Sequence, residues 1–304
     1  MPELPDIEAY ISALKQRLIG AELSKMRIAS PFLLRTVSPA PREFEGSPVK
    51  EIRRIGKRIA IGFDTGPWML IHLMIAGRFQ WKDEPGAPIP RGKQGLAGFD
   101  FSTGTLILTE AGSKRRASLS LLAGAADLAA HDPGGLEVLD ADSKAFAARL
   151  TLRNHTLKRA LTDPRLFSGI GNAYSDEILH RARLSPIAMT QRLREDQIAG
   201  LFEATQASLI EWRDRLVGEA EKKFPTKVTA FRPEMAVHGK FGKPCPVCQT
   251  AVQRIVYAST ETNYCPRCQT GGKVLADRAL STLMKKDWPK TIEELEDARP
   301  QPAT

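Results

Sequence analysis

Residues 245–268, CPVCQTAVQRIVYASTETNYCPRC, contain all four cysteines of the chain, as the pairs Cys245/Cys248 and Cys265/Cys268. Each C-x-x-C pair fits one tight knuckle and offers two thiolates, so the two pairs suit a single tetrahedral ion. The interval from Gln249 to Tyr264 can run out and back as a hairpin through Val252, Ile255 and Val256. Four sulfurs leave no open coordination position, which predicts one structural Zn²⁺ and not a catalytic one. A disulfide framework would spread its cysteines through a small secreted chain. A zinc ribbon alone says only that a hairpin is stapled, and Arg254 and Arg267 within it are available to face phosphate.

Outward from the cysteines, the C-terminal part carries helical spacing near Leu275 to Met284 and ends in the acidic EELEDARPQPAT, which reads as a frayed tail. Upstream, the stretch from Gly218 to Pro233 reads as a loop containing Lys222, Lys223 and Lys227. Helical patterns precede it at Phe146–Leu150, Thr156–Leu161, Ala173–Arg183 and Glu195–Val217. The helix carrying Asp176 and Glu177 is entered through Gly169-Ile170-Gly171-Asn172. Two glycines there let the backbone approach an anion at the positive end of a helix, with Asn172 as cap or phosphate donor. Lys158, Arg159 and Arg165 lie just upstream. A tight interhelical turn accounts for the same glycines.

Asp132-Pro133-Gly134-Gly135 is the best linker. Before it, Lys25 to Leu122 is strand-like. Ile55, Ile59, Ile61 and Phe63 alternate, Met69 to Ile75 is almost continuously apolar, and Leu106 to Leu108 forms another strand core. Ile7, Tyr10, Ile11, Leu14 and Leu18 repeat at helical spacing ahead of these strands, with Pro5 in the first turn and Gly20 as a stop. The expected fold is α+β and multidomain. A β-sandwich with a leading helix occupies 1–131, a helical domain 132–228, the four-cysteine finger 229–272, and a partly disordered extension 273–304.

The chain has 304 residues with 44 Lys+Arg against 35 Asp+Glu, a formal charge of +9, and 42% hydrophobic residues. That is an ordinary globular composition whose charge favours a polyanionic partner. The longest run without formal charge, Thr65 to Gly77, falls short of the ~18 apolar residues of a spanning helix. The acidic start MPELPDIEAY is unlike a secretory signal. A cytoplasmic, nucleoid-associated monomer with no membrane partner is expected.

Met1 before the small Pro2 is the context in which Met1 is removed, leaving a secondary amine. An α-amine has a pKa near ~8 against ~10.4 for lysine, so more of it is free to condense with an aldehyde-like carbon. Glu3 beside it can shuttle protons. Met-Pro-Glu is equally read as a charged start to a chain. Lys57 stands in phase with Ile55, Ile59, Ile61 and Phe63, on the face that should be buried. An inward lysine needs an anionic partner. It reads either as a cation directed at phosphate or substrate, or as a strand end or bulge.

Together these motifs resemble the formamidopyrimidine-DNA glycosylase/endonuclease VIII family of base-excision repair enzymes. The carriers are Met1-Pro2-Glu3-Leu4-Pro5, Gly56-Lys57-Arg58, Gly169-Ile170-Gly171-Asn172 with Asp176-Glu177, and His238-Gly239-Lys240 running into the cysteines. The resemblance spans roughly 1–270. It implies a β-sandwich with a leading helix, a helix–two-turn–helix domain and a zinc hairpin, with damaged DNA in the cleft and the nucleotide flipped out. It implies that the Pro2 nitrogen attacks C1′ and expels the base, that Glu3 handles protons, and that the Schiff base activates strand cleavage. Lys57, Asn172 and the amides of Gly169 and Gly171 would grip phosphates.

Four positions depart from the family pattern. Asp6 stands for a glutamate. Ile75 takes the place of the methionine that fills the hole left by the flipped base, with Met74 offset by one. Ala111 to Arg116 contains no aromatic wedge. Thr260 stands where the zinc-finger arginine is expected. Arg115, Arg116 and Arg254 are the candidate replacements for the missing cations. The covalent chemistry is therefore expected to survive, with single-stranded, bulky or crosslinked lesions favoured over 8-oxoguanine in duplex. The rival reading is a non-catalytic DNA-binding protein of the same fold.

Overall fold

A computed structural model of the chain describes residues 1–92, 94–112, 114–257 and 260–297. Helix α1 (Leu4–Leu18) begins where Glu3, in extended backbone, gives way to Leu4-Pro5. Pro5 falls in the first turn, where its missing N–H has no helical partner to lose. Gly20 ends the segment at φ +78, in the left-handed region that glycine tolerates. One face of α1, through Ile7, Tyr10, Ile11, Leu14 and Leu18, is buried.

Eight strands follow: β1 (Leu23–Ile28), β2 (Val49–Ile55), β3 (Arg58–Phe63), β4 (Trp68–His72), β5 (Gly77–Lys82), β6 (Gly95–Phe101), β7 (Gly104–Glu110) and β8 (Ser118–Leu122). They form two antiparallel four-stranded sheets, ordered β1-β6-β7-β5 and β2-β3-β4-β8. One apolar core joins α1 to Met69, Ile71 and Leu73 from one sheet and to Phe79, Phe99, Phe101, Leu106 and Leu108 from the other. The opposite face of β4 is also covered. Trp68 and Leu70 pack with Leu122 and with Leu128 of α2 (Ala125–Ala130), as the continuous apolar run predicts.

Lys57 is not on a strand. Gly56 and Lys57 form the two-residue turn between β2 and β3, with Gly56 at φ +60 and Lys57 half-buried. Ile55 pairs with Arg58 across it. The turn removes Lys57 from the period-two alternation that places it inward on residue order alone, so the strand-end alternative describes its position.

The chain divides into two compact units, one made of Met1–Gly135 and Ile210–Thr229, the other of Leu136–Leu209 and Ala230–Thr304. The first break falls at the predicted linker. The second unit contains α3 (Ser143–Thr151), α4 (Leu157–Thr162), α5 (Asn172–Arg181) and the first half of α6 (Glu195–Lys222), together with the cysteine module. The helical segment and the finger thus fall in one unit. Residues 210–229 join the sandwich, where Leu216, Ala220, Phe224 and Val228 enter its core. Helix α6 also runs on to Lys222, through part of the expected loop. None of the helices among the described residues is long and apolar enough to cross a membrane.

A helix forms where helical spacing near Leu275 to Met284 predicts one, while the start of the acidic tail expected to fray, residues 293–297, is helical as well. After the hairpin β9 (Gln253–Tyr257) and β10 (Thr260–Tyr264) and the short α7 (Pro266–Thr270), residues 273–297 fold back on the finger and include α8 (Arg278–Met284) and α9 (Ile292–Asp297). The buried Asp277 accepts the Val256 N–H at 2.6 Å, and Leu275 donates its N–H to the Tyr264 hydroxyl at 2.7 Å. Ile292 is buried and donates its N–H to the Gly272 carbonyl. On α9 the exposed Glu293 carboxyl is held below its usual value by local hydrogen bonds first and then by Arg267. A chain ending at Gly272 is expected to lose about 2–4 kcal/mol of finger stability, from Ile292 burial and three hydrogen bonds. Faster zinc loss to a chromogenic chelator would measure it. The last residues, 298–304, lie outside the described residues.

Candidate active site

The N-terminal site is built by the first turn of α1 and the turns flanking β3 and β5. Pro2 and Glu3 are buried. The Glu3 N–H donates to Asp6 Oδ2 at 3.0 Å and the Glu3 carbonyl accepts the Ile7 N–H at 2.9 Å, so the residue is fixed through its backbone. Asp6, which the sequence marked only as a shortened carboxylate, is therefore the reciprocal cap of this helix start. In the chain as given the α-amine belongs to Met1 and the Pro2 nitrogen lies in the next peptide bond. That amine is pulled below its usual value, mainly by burial; Glu3 and Asp6 oppose the shift, while Arg78 and Lys57 add to it. A depressed amine pKa leaves a larger unprotonated fraction at neutral pH.

His72, at the end of β4, is a member of this site that the sequence reading did not single out. Its Nδ1 accepts the Met74 N–H at 2.9 Å. Burial first, then Arg58, Lys57 and the N-terminal amine, push its pKa down to about 4. The only sequence signal is a lone histidine in an apolar strand. Because the folded state keeps His72 neutral while the unfolded chain protonates it near 6.5, this contribution is complete above pH 6.5 and is lost as pH falls toward 4. The loss is about 3 kcal/mol. Comparing urea midpoints of wild type and His72→Asn across that window should show the wild type falling further.

Ile75 lies in the turn after β4 and is 64% exposed. Arg115 is half-buried and Arg116 exposed in the loop after β7. Glu110 anchors that loop, its carboxylate accepting the N–H groups of Arg116 and Ala117 at 3.0–3.1 Å. Pro2, Glu3, Lys57, Ile75, Arg115 and Arg116 all belong to the first unit.

In the second unit Gly169 takes φ +78 and Gly171 is the extended N-cap of α5. Asn172 is the first helical residue and not the cap, since Gly171 already occupies that place. The Asn172 amide donates to the Glu261 carbonyl at 2.8 Å, while its Oδ1 is buried without a hydrogen-bond partner among the described residues. Lys158 Nζ donates to Asp176 Oδ1 at 2.5 Å and to the Asn172 carbonyl at 2.6 Å. Arg165 pairs with Asp163 and holds that carboxyl below its usual range. Two of the three upstream cations are thus committed to internal partners. Arg254 lies exposed on β9, ion-paired with Glu261 at 3.0 Å and stacked over Phe241 at 4.3 Å.

Helix α5 also seats the finger. Asp176 Oδ2 lies 2.8 Å from His238 Nδ1 and accepts the Asn263 N–H at 3.1 Å. Glu177 accepts the N–H groups of Ala236, Val237 and His238 at 2.7–2.9 Å. Its pKa is nonetheless raised, because burial outweighs those three hydrogen bonds.

The sulfurs of Cys245, Cys248, Cys265 and Cys268 all lie within 4.8 Å of one another. Cys248 Sγ and Cys265 Sγ are 3.3 Å apart, and Cys245 Sγ and Cys268 Sγ 3.9 Å. These spacings are too long for disulfides and bracket the edge, about 3.8 Å, of a tetrahedron with Zn–S bonds of about 2.3 Å. His180 Nε2 stands 3.2 Å from Cys245 Sγ, placed to donate to a thiolate. The finger therefore holds one structural zinc.

Three stretches match known domain families. Residues 1–115 match the formamidopyrimidine-DNA glycosylase N-terminal domain, 133–211 its H2TH domain, and 242–271 the zinc finger found in FPG and IleRS. A formamidopyrimidine-DNA glycosylase of Thermus thermophilus is 30% identical over 284 residues, covering 90% of this chain and 100% of the relative. An uncharacterized formamidopyrimidine-DNA glycosylase-like protein of Mycobacterium tuberculosis is 40% identical over 151 residues, covering 50% of this chain and 94% of its own. The crystal structure of MutM (FPG) from Thermus thermophilus matches with a TM-score of 0.74 at 28% identity, over 88% of this chain and 98% of that one. A structure of MutM in complex with carbocyclic 8-oxo-G containing DNA matches at 0.76 and 25% identity, over 88% and 100%. The full-length similarity to glycosylases does not favour the non-catalytic alternative. On this similarity and on the zinc finger, helix entry and N-terminal site described above, the chain belongs to the formamidopyrimidine-DNA glycosylase family, as a damaged-DNA-binding glycosylase of base-excision repair with associated abasic-site lyase activity.

Proposed function

We propose that the secondary amine of Pro2, exposed once Met1 is removed, is the nucleophile. Its lone pair bonds to the sugar C1′, the glycosidic bond breaks, and the base leaves with its electron pair and a proton. The Pro2 nitrogen gives up its own proton, the C1′–O4′ bond opens with O4′ taking a proton, and the iminium so formed acidifies C2′, so loss of that proton expels the 3′ phosphate. Glu3 moves the protons, and Lys57 holds a phosphate beside the lesion. The observation that carries this reading is the buried Glu3, fixed at the start of α1 directly after the buried Pro2. Borohydride should trap a covalent adduct with abasic-site DNA that fails to form when the amine is blocked.

The lesion class follows from what the probing elements lack. The loop after β7 contains no aromatic among its described residues, and position 260 is threonine. A duplex lesion must be held open by a wedge, whereas a single-stranded or already distorted one need not be. Single-stranded, bulky or crosslinked lesions are the proposed substrates, processed by a monomer on cytoplasmic, nucleoid-associated DNA. Excision of 8-oxoguanine opposite cytosine as fast as abasic sites are cleaved would sink this assignment.

Asn172, the amides around Gly169 and Gly171, Arg115, Arg116 and Arg254 are the proposed phosphate contacts. Arg254→Ala should weaken binding to all sequences alike and flatten the slope of log K against log salt by about 1. An unchanged slope would remove Arg254 from the interface. The proposed boundaries remain 1–131 for the catalytic sandwich, 132–228 for the helical domain, 229–272 for the finger and 273–304 for the extension.

A further inference from the structure

The turn between β4 and β5 is built more tightly than a surface connection requires. Leu73 is fully buried and anchors it to the core. Gly77 closes it, donating its N–H to the Leu73 carbonyl at 2.9 Å. A Cβ at Gly77 would lie 2.2 Å from that carbonyl oxygen, so only glycine fits. Between them Met74 adopts φ +52, a left-handed conformation that side chains other than glycine rarely take. Such a conformation persists only where its surroundings impose it.

Two side chains impose it. Arg78 Nη1 donates to the Ile75 carbonyl at 3.0 Å and to the Gly77 carbonyl at 2.6 Å. His72 Nδ1 accepts the Met74 N–H at 2.9 Å. The second contact has the form of an Asx turn, in which a side-chain acceptor takes the N–H two residues on and so stabilises a tight turn. The product is a rigid tip that carries Ile75, a β-branched residue with a stiff χ1, 64% exposed.

The Nδ1 contact requires a lone pair on that nitrogen, because a protonated imidazole would present N–H to N–H. The charged groups acting on His72 are Arg58 from β3, Lys57 from the preceding turn and the N-terminal amine, all cationic. With burial they keep the ring neutral and the acceptor available. The turn and the N-terminal site thus share one electrostatic environment.

We propose that His72 is a positioning residue for nucleotide extrusion: by accepting the Met74 N–H it locks residues 73–77 in the conformation that presents Ile75 to the gap left by the extruded nucleotide. This rests on the reading of Ile75 as the gap-filling residue. It adds what holds that residue ready, and why an inflexible isoleucine can act where a longer, adaptable side chain would search for its position.

The test uses the full-length, zinc-loaded protein and one oligonucleotide carrying a single abasic site, used single-stranded and annealed to its complement. Gap filling matters only in the duplex. His72→Asn keeps an acceptor at the reach of Nδ1. His72→Gln keeps polarity and size but moves the acceptor one bond farther. H72N should show no duplex-selective loss: its borohydride-trapping rate relative to wild type should agree within about threefold between the two substrates. H72Q should lose at least tenfold more on the duplex than on the single strand. Hydrogen exchange over residues 73–77 should quicken in H72Q and not in H72N, which registers the lost contact whatever the activity. Equal behaviour of H72N and H72Q, or an H72Q loss equal on both substrates, overturns the proposal. Ile75→Gly separates the levels. A duplex-selective loss there with none in H72Q removes the role of His72 alone. No duplex-selective loss in Ile75→Gly removes the gap-filling reading as well.

Discussion

Glu3→Gln is expected to lower base release by about 10²–10⁴-fold, the range that a positioned general acid–base contributes. The substitution is isosteric, which makes the reading clean. Glu3 is held through its backbone, the N–H donating to Asp6 and the carbonyl accepting from Ile7, and neither contact involves the carboxylate. The start of α1 should therefore keep its geometry while the proton-transferring group is removed. Gln cannot take up a proton, so both base departure and loss of the C2′ proton should slow. Borohydride trapping with abasic-site DNA should fall with base release, and Pro2→Gly with a blocked amine should yield no adduct at all. Release of a damaged base by Glu3→Gln at the wild-type rate would exclude Glu3 from proton handling. A covalent adduct formed with the amine blocked would exclude the N-terminal nucleophile.

Removal of zinc is expected to have the second large effect. Four thiolates gather around one ion, and metal binding to such a module supplies its folding free energy, of the order of ~10 kcal/mol in zinc-finger peptides. The finger is hydrogen-bonded to α5. Asp176 and Glu177, both buried on α5, rely on it for the His238 and Asn263 contacts and for three backbone N–H donors. Once the module unravels, Glu177 loses those three N–H donors and Asp176 keeps Lys158 but loses its finger contacts in a poorly hydrated site, where breaking a buried pair costs about 3–5 kcal/mol. Asn172 loses the Glu261 carbonyl at the same time. Cys265→Ala should therefore retain no zinc, melt earlier than wild type across residues 136–209 as well as in the finger, and bind DNA at least about tenfold more weakly. Metal analysis, hydrogen exchange by segment and a binding titration would measure the three effects. A zinc-free protein with unaltered protection of α5 would show that the finger is merely appended.

The parts of this protein that could be read from residue order are those governed by local rules. The two C-x-x-C pairs named their metal because ligand spacing along the chain sets the chelate. The strands were visible because a sandwich buries alternate residues, and β4 because both of its faces are covered. The family motifs then supplied Pro2, Glu3 and Asn172 as candidates. Lys57 was misplaced because two-residue periodicity continues on paper through a hairpin turn that the backbone does not continue. The start of the acidic tail, read as frayed because its composition suggests solvation, lies in α9, and ahead of it Asp277 and Ile292 find their partners, Val256 and Gly272, only after folding.

Residue order by itself determined the zinc ligands and the sandwich-then-helices organisation, and it offered the N-terminus as the proposed nucleophile, since each depends on spacing within a short stretch. Only the tertiary structure decided which charges are available and which are already paired. Lys158 belongs to Asp176, Arg165 to Asp163, and His72 is neutral because it is buried and cations from separate turns and strands converge on it. The physical reason is that pairing and pKa depend on distance and burial in three dimensions, which sequence separation does not encode.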